Sequence, residues 1–151
     1  MKIYFSSKFE NKLMVQSVVE DISRFVDFSV VSSWIYLDKP LSIEECSVID
    51  FCDIDNCDIL VALFPFAEGA NAEVGYAMGR NKKVIYVVEK MFYNGEYKSK
   101  FMAKPLFAGV MFHPYNYEEE FVLTDYMIKV YNSFVVHSLD DLVLTLEKLG
   151  E

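Results

Sequence analysis

Along the chain, short and strongly apolar runs alternate with longer segments in which apolar residues recur every three or four positions. Met1 to Phe5 reads as a first strand. Residues 10 to 26 carry Val15, Val18, Val19, Ile22, Phe25 and Val26 at the 3-4-3 spacing of one buried helical face. Phe28 to Ile35 predicts a second strand, and Pro40 a break. Ser42-Ile43-Glu44-Glu45 has the form of a capping box that opens a second helix. Asp58 to Phe64 is a continuous apolar run ended by Pro65, the pattern of a strand buried on both faces. A third helix follows from about Asn71 to Arg80, and Lys83 to Val88 reads as a fourth strand. Ser133 to Val136 gives a fifth strand. Ser138 then caps a last helix that turns Leu139, Leu142, Val143, Leu146 and Leu149 inward.

This order predicts a single α/β domain over residues 1–151. It would be doubly wound and flavodoxin-like, a five-stranded parallel sheet with helices on both faces. Right-handed crossovers in such a sheet bring ligands to the carboxyl ends of the strands, near the point where strand order reverses. The loops Ser6 to Phe9 and Pro65 to Ala72 should meet there. The link from Glu89 to Asn132 is atypical. It is rich in Phe, Tyr and Met and too long for a structureless loop, so it should hold elements of its own, with a helix over 118–131. A lid, an oligomer interface and additional core all account for its aromatics.

Composition narrows the function. Apolar residues make up 53% and charged residues 25%, which excludes a disordered chain. No apolar run reaches the ~18 to 20 residues that span a bilayer, and the start lacks a signal-peptide pattern, so a cytoplasmic location is expected. A net charge of −9 disfavours a nucleic-acid polymer and leaves a single nucleoside or mononucleotide open. Cys46, Cys52 and Cys57 form no CxxC and are read as reduced, buried or half-buried thiols, with no zinc and no disulfide.

The chemistry concentrates in Gly69 to Gly79. Pro65 and Gly69 flank a turn between a buried strand and a helix, and Glu73 falls in that helix's first turn, where the macrodipole favours an ionised carboxylate. Such a group suits nucleophilic or electrostatic work at a cationic carbon, and equally suits plain dipole compensation. Neither G-x-G-x-x-G nor G-K-[ST] is present. Asp50, Asp53, Asp55 and Asp58 do not share one helical face and read as a solvated helix end; Asp50 alone lies two turns before Asp58 and is placed to reach the cleft. Ser6, Ser7 and Lys8 can serve a phosphate or a sugar hydroxyl, or form an ordinary polar turn. Trp34 closes the second strand beside this loop, as core or as a stacking platform. His113 and His137 do not stand at catalytic spacing and are read as structural.

With these pieces assembled, residues 1 to 88 resemble the nucleoside 2-deoxyribosyltransferase family and the related 2′-deoxynucleoside 5′-phosphate N-hydrolases. The resemblance rests on Ile3-Tyr4-Phe5 with its small-residue turn, on Asp50 eight residues before the Asp58–Ala62 run, and on Glu73-Val74-Gly75-Tyr76-Ala77 followed by Asn81 to Ile85. It implies cleavage or transfer at an N-glycosidic bond through a glycosyl-enzyme intermediate on Glu73. Tyr4 would orient Glu73, and Asp50 would bind the sugar or manage the proton of the departing base. Ser6, Ser7, Phe9, Trp34, Gly69 and Asn71 would bind substrate, with Phe9 stacking on the base and Asn71 standing where the family often has a hydroxyl residue. It implies no metal, no cofactor, and a homo-oligomer whose neighbouring subunits complete the site. Ser6-Ser7-Lys8 departs from the Gly or Ala usual in the opening loop, which suits a 5′-phosphate. A non-catalytic nucleotide-binding module is the competing reading; Glu73 held by Arg80, or buried away from any cleft, would favour it.

Overall fold

The computed structural model describes residues 1–38, 41–63, 68–87 and 133–151. Strands β1 (Lys2–Ser6), β2 (Ser29–Val30), β3 (Ile59–Leu63), β4 (Lys83–Val87) and β5 (Ser133–Val136) lie in the order β2-β1-β3-β4-β5, and every pairing is parallel. Helices α1 (Lys12–Ile22) and α4 (Leu139–Gly150) cover one face. Helices α2 (Ile43–Asn56) and α3 (Glu68–Gly79) cover the other. Strand order reverses between β1 and β3.

All five residues of β3 are buried, as a strand covered on both sides requires. On the α1/α4 face, Ile3, Phe5, Val61 and Ile85 pack against Val15, Ile22, Leu142 and Leu146. The caps written in the sequence form as read. Ser42 accepts from the Glu45 N–H while the Glu45 carboxylate accepts from the Ser42 N–H, and Ser138 accepts from the Asp141 N–H at 3.1 Å. Helix α3 ends on Asn81 in the left-handed region (φ 57°), with the Lys82 N–H reaching back to the Ala77 carbonyl and the Asn81 N–H to that of Met78.

Four readings of the sequence need correction. The sheet has four strands of four or five residues rather than five full strands, because the second shrinks to Ser29–Val30. Past Val31, side chains replace the ladder: the Phe5 N–H donates to the Ser32 hydroxyl, and the Trp34 indole donates to the Phe5 carbonyl at 2.8 Å. Ser33–Ile35 therefore winds into a 3₁₀ turn, and Trp34 lies in that turn instead of closing a strand. The first helix stops at Ile22; the chain turns, Val26 stays buried, and Phe25 swings out to 68% exposure. The third helix starts at Glu68, so Gly69 lies inside it rather than in a turn, and a side chain there would meet nothing within 4 Å. Cys52 is exposed, whereas Cys46 is half-buried and Cys57 buried.

The break at Pro40, the turn at Pro65, His113 and the whole of the aromatic link from 89 to 132 lie outside the described residues. Among those described, no helix is long and apolar enough to cross a membrane.

Candidate active site

Alternate residues of a strand share a face. Strand β1 thus sends Ile3 and Phe5 to the α1/α4 side, and Tyr4 and Ser6 to the α2/α3 side. Helix α2 places Asp50 in line with buried Ile54 and Cys57, one and two turns further on. In α3 the inward stripe is Ala70, Val74 and Ala77, and Glu73 stands on it three residues after Ala70 and four before Ala77. Two carboxylates from neighbouring helices are thereby aimed at one polar stretch of an otherwise apolar sheet.

Their contacts are specific. The Ser6 hydroxyl, fully buried at the carboxyl end of β1, donates a hydrogen bond to Glu73. The Tyr4 hydroxyl feels both Asp50 and Glu73, yet completes a well-formed hydrogen bond with neither. Burial is the main influence on Glu73 and pushes its carboxyl up to about 7; the Ser6 and Tyr4 hydroxyls pull it down, and the Asp50 charge pushes it further up. Burial also raises Asp50, partly offset by the Tyr4 hydroxyl, with the neighbouring Asp53 charge adding to the rise. The Tyr4 phenol is raised far out of its ordinary range by burial and by the two carboxylates. Glu73 therefore titrates near neutral pH, as a group at a site of proton movement would.

Glu73 sits in the second turn of α3, not the first as the sequence suggested. The macrodipole fades beyond the first turn, and the Ser6 hydroxyl is the donor that meets this carboxylate. Asp50 projects from the middle of α2. Arg80 does not hold Glu73. Its guanidinium binds Asp55 at 2.7 Å, Tyr76 donates to the same carboxylate at 3.1 Å, and the Lys82 ammonium donates to the Asp55 and Cys57 carbonyls. These contacts join α2 to α3 below the acid pair.

The remaining candidates divide. Ser7 is engaged internally: its hydroxyl donates to the Leu63 carbonyl at 2.9 Å and accepts from Asn11, tying the end of β1 to the end of β3. Phe9 is 68% exposed and stands 6.4 Å, centroid to centroid, from the half-buried Trp34 ring. In Asn71 both side-chain polar atoms are buried without a partner among the described residues. It projects from the opposite flank of the inward stripe from Glu73, so helical geometry separates the two. Gly69 faces open space. An open groove of about 400 Å³, lined by Lys2, Ser32, Ser33, Tyr36, Asp53 and Asn56, runs along the β2 edge; none of Tyr4, Ser6, Asp50 and Glu73 lines it.

Besides Asp55, sequence reading missed the engagements of two further acids. Asp53 accepts from the Ser33 N–H at 2.8 Å, and Asp58 from the Lys2 N–H at 2.7 Å, so these acids are structural. Among the described residues, no three His, Cys, Asp or Glu side chains come together as metal ligands would. The period of two that links Ser6 to Tyr4 was the available signal for Ser6 as a partner of Glu73.

No protein-family profile and no curated protein sequence matches the chain. Solved structures do. A conserved protein from Enterococcus faecalis V583 superposes with a TM-score of 0.66 at 17% identity, covering 98% of each chain. The Clostridium botulinum CMP N-glycosidase, BcmB, superposes with a TM-score of 0.55 at 16% identity, covering 97% of this chain and 98% of its own. At such identities the likeness is one of fold, and it extends over the whole length.

Proposed function

We propose that the protein is an enzyme that cleaves the N-glycosidic bond of a nucleoside or nucleotide, with Glu73 as nucleophile. The observation that carries this reading is the meeting of Glu73 and Asp50, from two helices, around the Tyr4 and Ser6 hydroxyls at the strand-order reversal. Sharing a fold with a CMP N-glycosidase is consistent with it, as is the motif resemblance to the deoxyribosyltransferases. That Arg80 is committed to Asp55 removes one of the two signs of a non-catalytic binding module.

The chemistry follows that of a retaining glycosidase. A Glu73 oxygen attacks the anomeric carbon as its bond to the base nitrogen breaks. Asp50, whose raised carboxyl can hold a proton, gives that proton to the departing base. Water, or the nitrogen of a second base, then attacks the same carbon and releases the Glu73 carboxylate, while Asp50 takes up the proton. The desolvation that raises Glu73 also strengthens its interaction with the cationic sugar in the transition state. No step calls for a metal or an organic cofactor. In this proposal Phe9 and Trp34, whose ring centroids lie 6.4 Å apart, stack on the base, and a small-molecule substrate, a cytoplasmic setting and a homo-oligomer complete it.

The test is incubation with deoxynucleosides, ribonucleosides and their 5′-monophosphates, with and without a free acceptor base, followed by chromatography. Base release without acceptor identifies a hydrolase, and base exchange a transferase. Glu73→Gln should lower kcat/KM by at least ~10³-fold, since the nucleophile is lost. Absence of turnover on every substrate, or turnover that survives Glu73→Gln, would refute the proposal.

A further inference from the structure

Resting on the reading of Glu73 as nucleophile, we infer that Ser6, and not Tyr4, is the residue that positions it: the Ser6 hydroxyl fixes the carboxylate's orientation and favours its ionised form.

Three observations support this. The Ser6 hydroxyl is the described group that donates a hydrogen bond to Glu73. Ser6 is fully buried, so water does not compete for that hydroxyl, and its donor is spent on a charge in a low-dielectric setting, where a hydrogen bond counts most. The Tyr4 hydroxyl, by contrast, lies between two acids and satisfies neither. A phenol shared by two carboxylates favours whichever is ionised at the moment and so cannot set which one it is. A serine that reaches Glu73 can.

The groups acting on Glu73 come from every side. Ser6 and Tyr4 reach it from β1. Asp50 reaches it from α2, with Asp53 next along that helix acting on Asp50 in turn. Its neighbours on α3 are the apolar Ala70 and Ala77 and Tyr76, whose hydroxyl donates to Asp55, and Arg80 and Lys82 are engaged with Asp55 and the end of α2. Burial and Asp50 oppose ionisation of Glu73. Of the two hydroxyls that favour it, Ser6 has the larger influence. The residue type matters for another reason: a glycine or alanine at position 6 would leave this donor out, so the serine makes the nucleophile of this chain less dependent on its tyrosine.

The experiment is a carboxyl-carbon NMR titration of Glu73 in the full chain, for the parent, Ser6→Ala, Ser6→Cys and Tyr4→Phe, paired with pH profiles of kcat and KM. Ser6→Ala should raise the Glu73 midpoint by roughly 1 to 2 pH units, the equivalent of one hydrogen bond to a charged group. The acid limb of kcat should move with it, while KM changes little. Ser6→Cys, which keeps the volume and weakens the donor, should fall between parent and alanine. Tyr4→Phe should move the midpoint less than Ser6→Ala does. An unmoved midpoint in Ser6→Ala, or a larger displacement in Tyr4→Phe, overturns the inference. The titration needs no turnover, so a parent protein that cleaves no substrate would sink the glycosidase reading while the hold of Ser6 on Glu73 is still decided.

Discussion

The two faces of the sheet are built from the same strands and solve different problems. Toward α1 and α4 the strands offer Ile3, Phe5, Val61, Leu63, Ile85 and Val87, and the helices answer with valine, isoleucine and leucine alone. Toward α2 and α3 the same β1 offers Tyr4 and Ser6, and the helices answer with Asp50 and Glu73 among alanines, Val74 and Ile54. One face removes apolar area from water without residual polar demand. The other holds two acids and an unsatisfied phenol in a poorly solvated place, which costs stability. A protein keeps such an arrangement where chemistry needs it, and confines it to one face so that the other can offset it.

The contrast can be broken from either side. The largest effect is on the apolar face: Leu146→Ala should lower the unfolding free energy by ~3 kcal/mol in urea titrations, because a fully buried leucine leaves a cavity between α4 and the sheet. A loss below ~1 kcal/mol would mean that this face is not the main support.

The next largest effect is on the polar face and depends on pH. The folded state raises the Glu73 carboxyl from 4.5 to about 7, so between those values it binds more protons than the unfolded chain. The stability this group contributes is therefore complete below about 4.5 and lost as pH rises through about 7. Asp50, also raised, adds a slope of the same sign. In Glu73→Gln the slope should flatten, and thermal melts at pH 8 should show a higher Tm than the parent. A parent whose stability rises from pH 5 to pH 8 would contradict the burial of Glu73.

The smallest effect separates role from support. Tyr4→Phe removes a buried hydroxyl that completes no hydrogen bond, and should stabilise the fold by about 1 kcal/mol while impairing turnover. Destabilisation would show that the hydroxyl is satisfied after all.

How much of this the sequence carried depends on the range of the interactions involved. Helix α4 was legible in full, since Ser138 and the leucines at 139, 142, 146 and 149 act within a few residues of one another. So was β3, whose unbroken apolar run has one physical reading. The second strand was misjudged because what ends it is a contact between distant positions: Ser32 and Trp34 reach across to Phe5, some thirty residues earlier in the chain, and no local pattern announces that. At the acid cluster, residue types and spacing singled out Glu73 and Asp50, and the resemblance to the deoxyribosyltransferases added Tyr4. The dipole argument for Glu73 failed because the helix opens earlier than Asn71, and the engagement of Ser6 depended on which strand face α3 would cover. Phe25 was placed inward by periodicity alone, which says where a helix would point a residue and nothing about where the helix stops.

The shortness of β2 has a consequence for how this molecule meets its neighbours. A long bare edge would invite a strand from another chain to extend the sheet, the first step toward fibres. Here the rim runs for two residues, and just beyond it the amide and carbonyl of Phe5 are already occupied by a serine and a tryptophan of the same chain. Copies that approach from this side find side chains and no vacant ladder, so crowding at high concentration should not zip them together along β2.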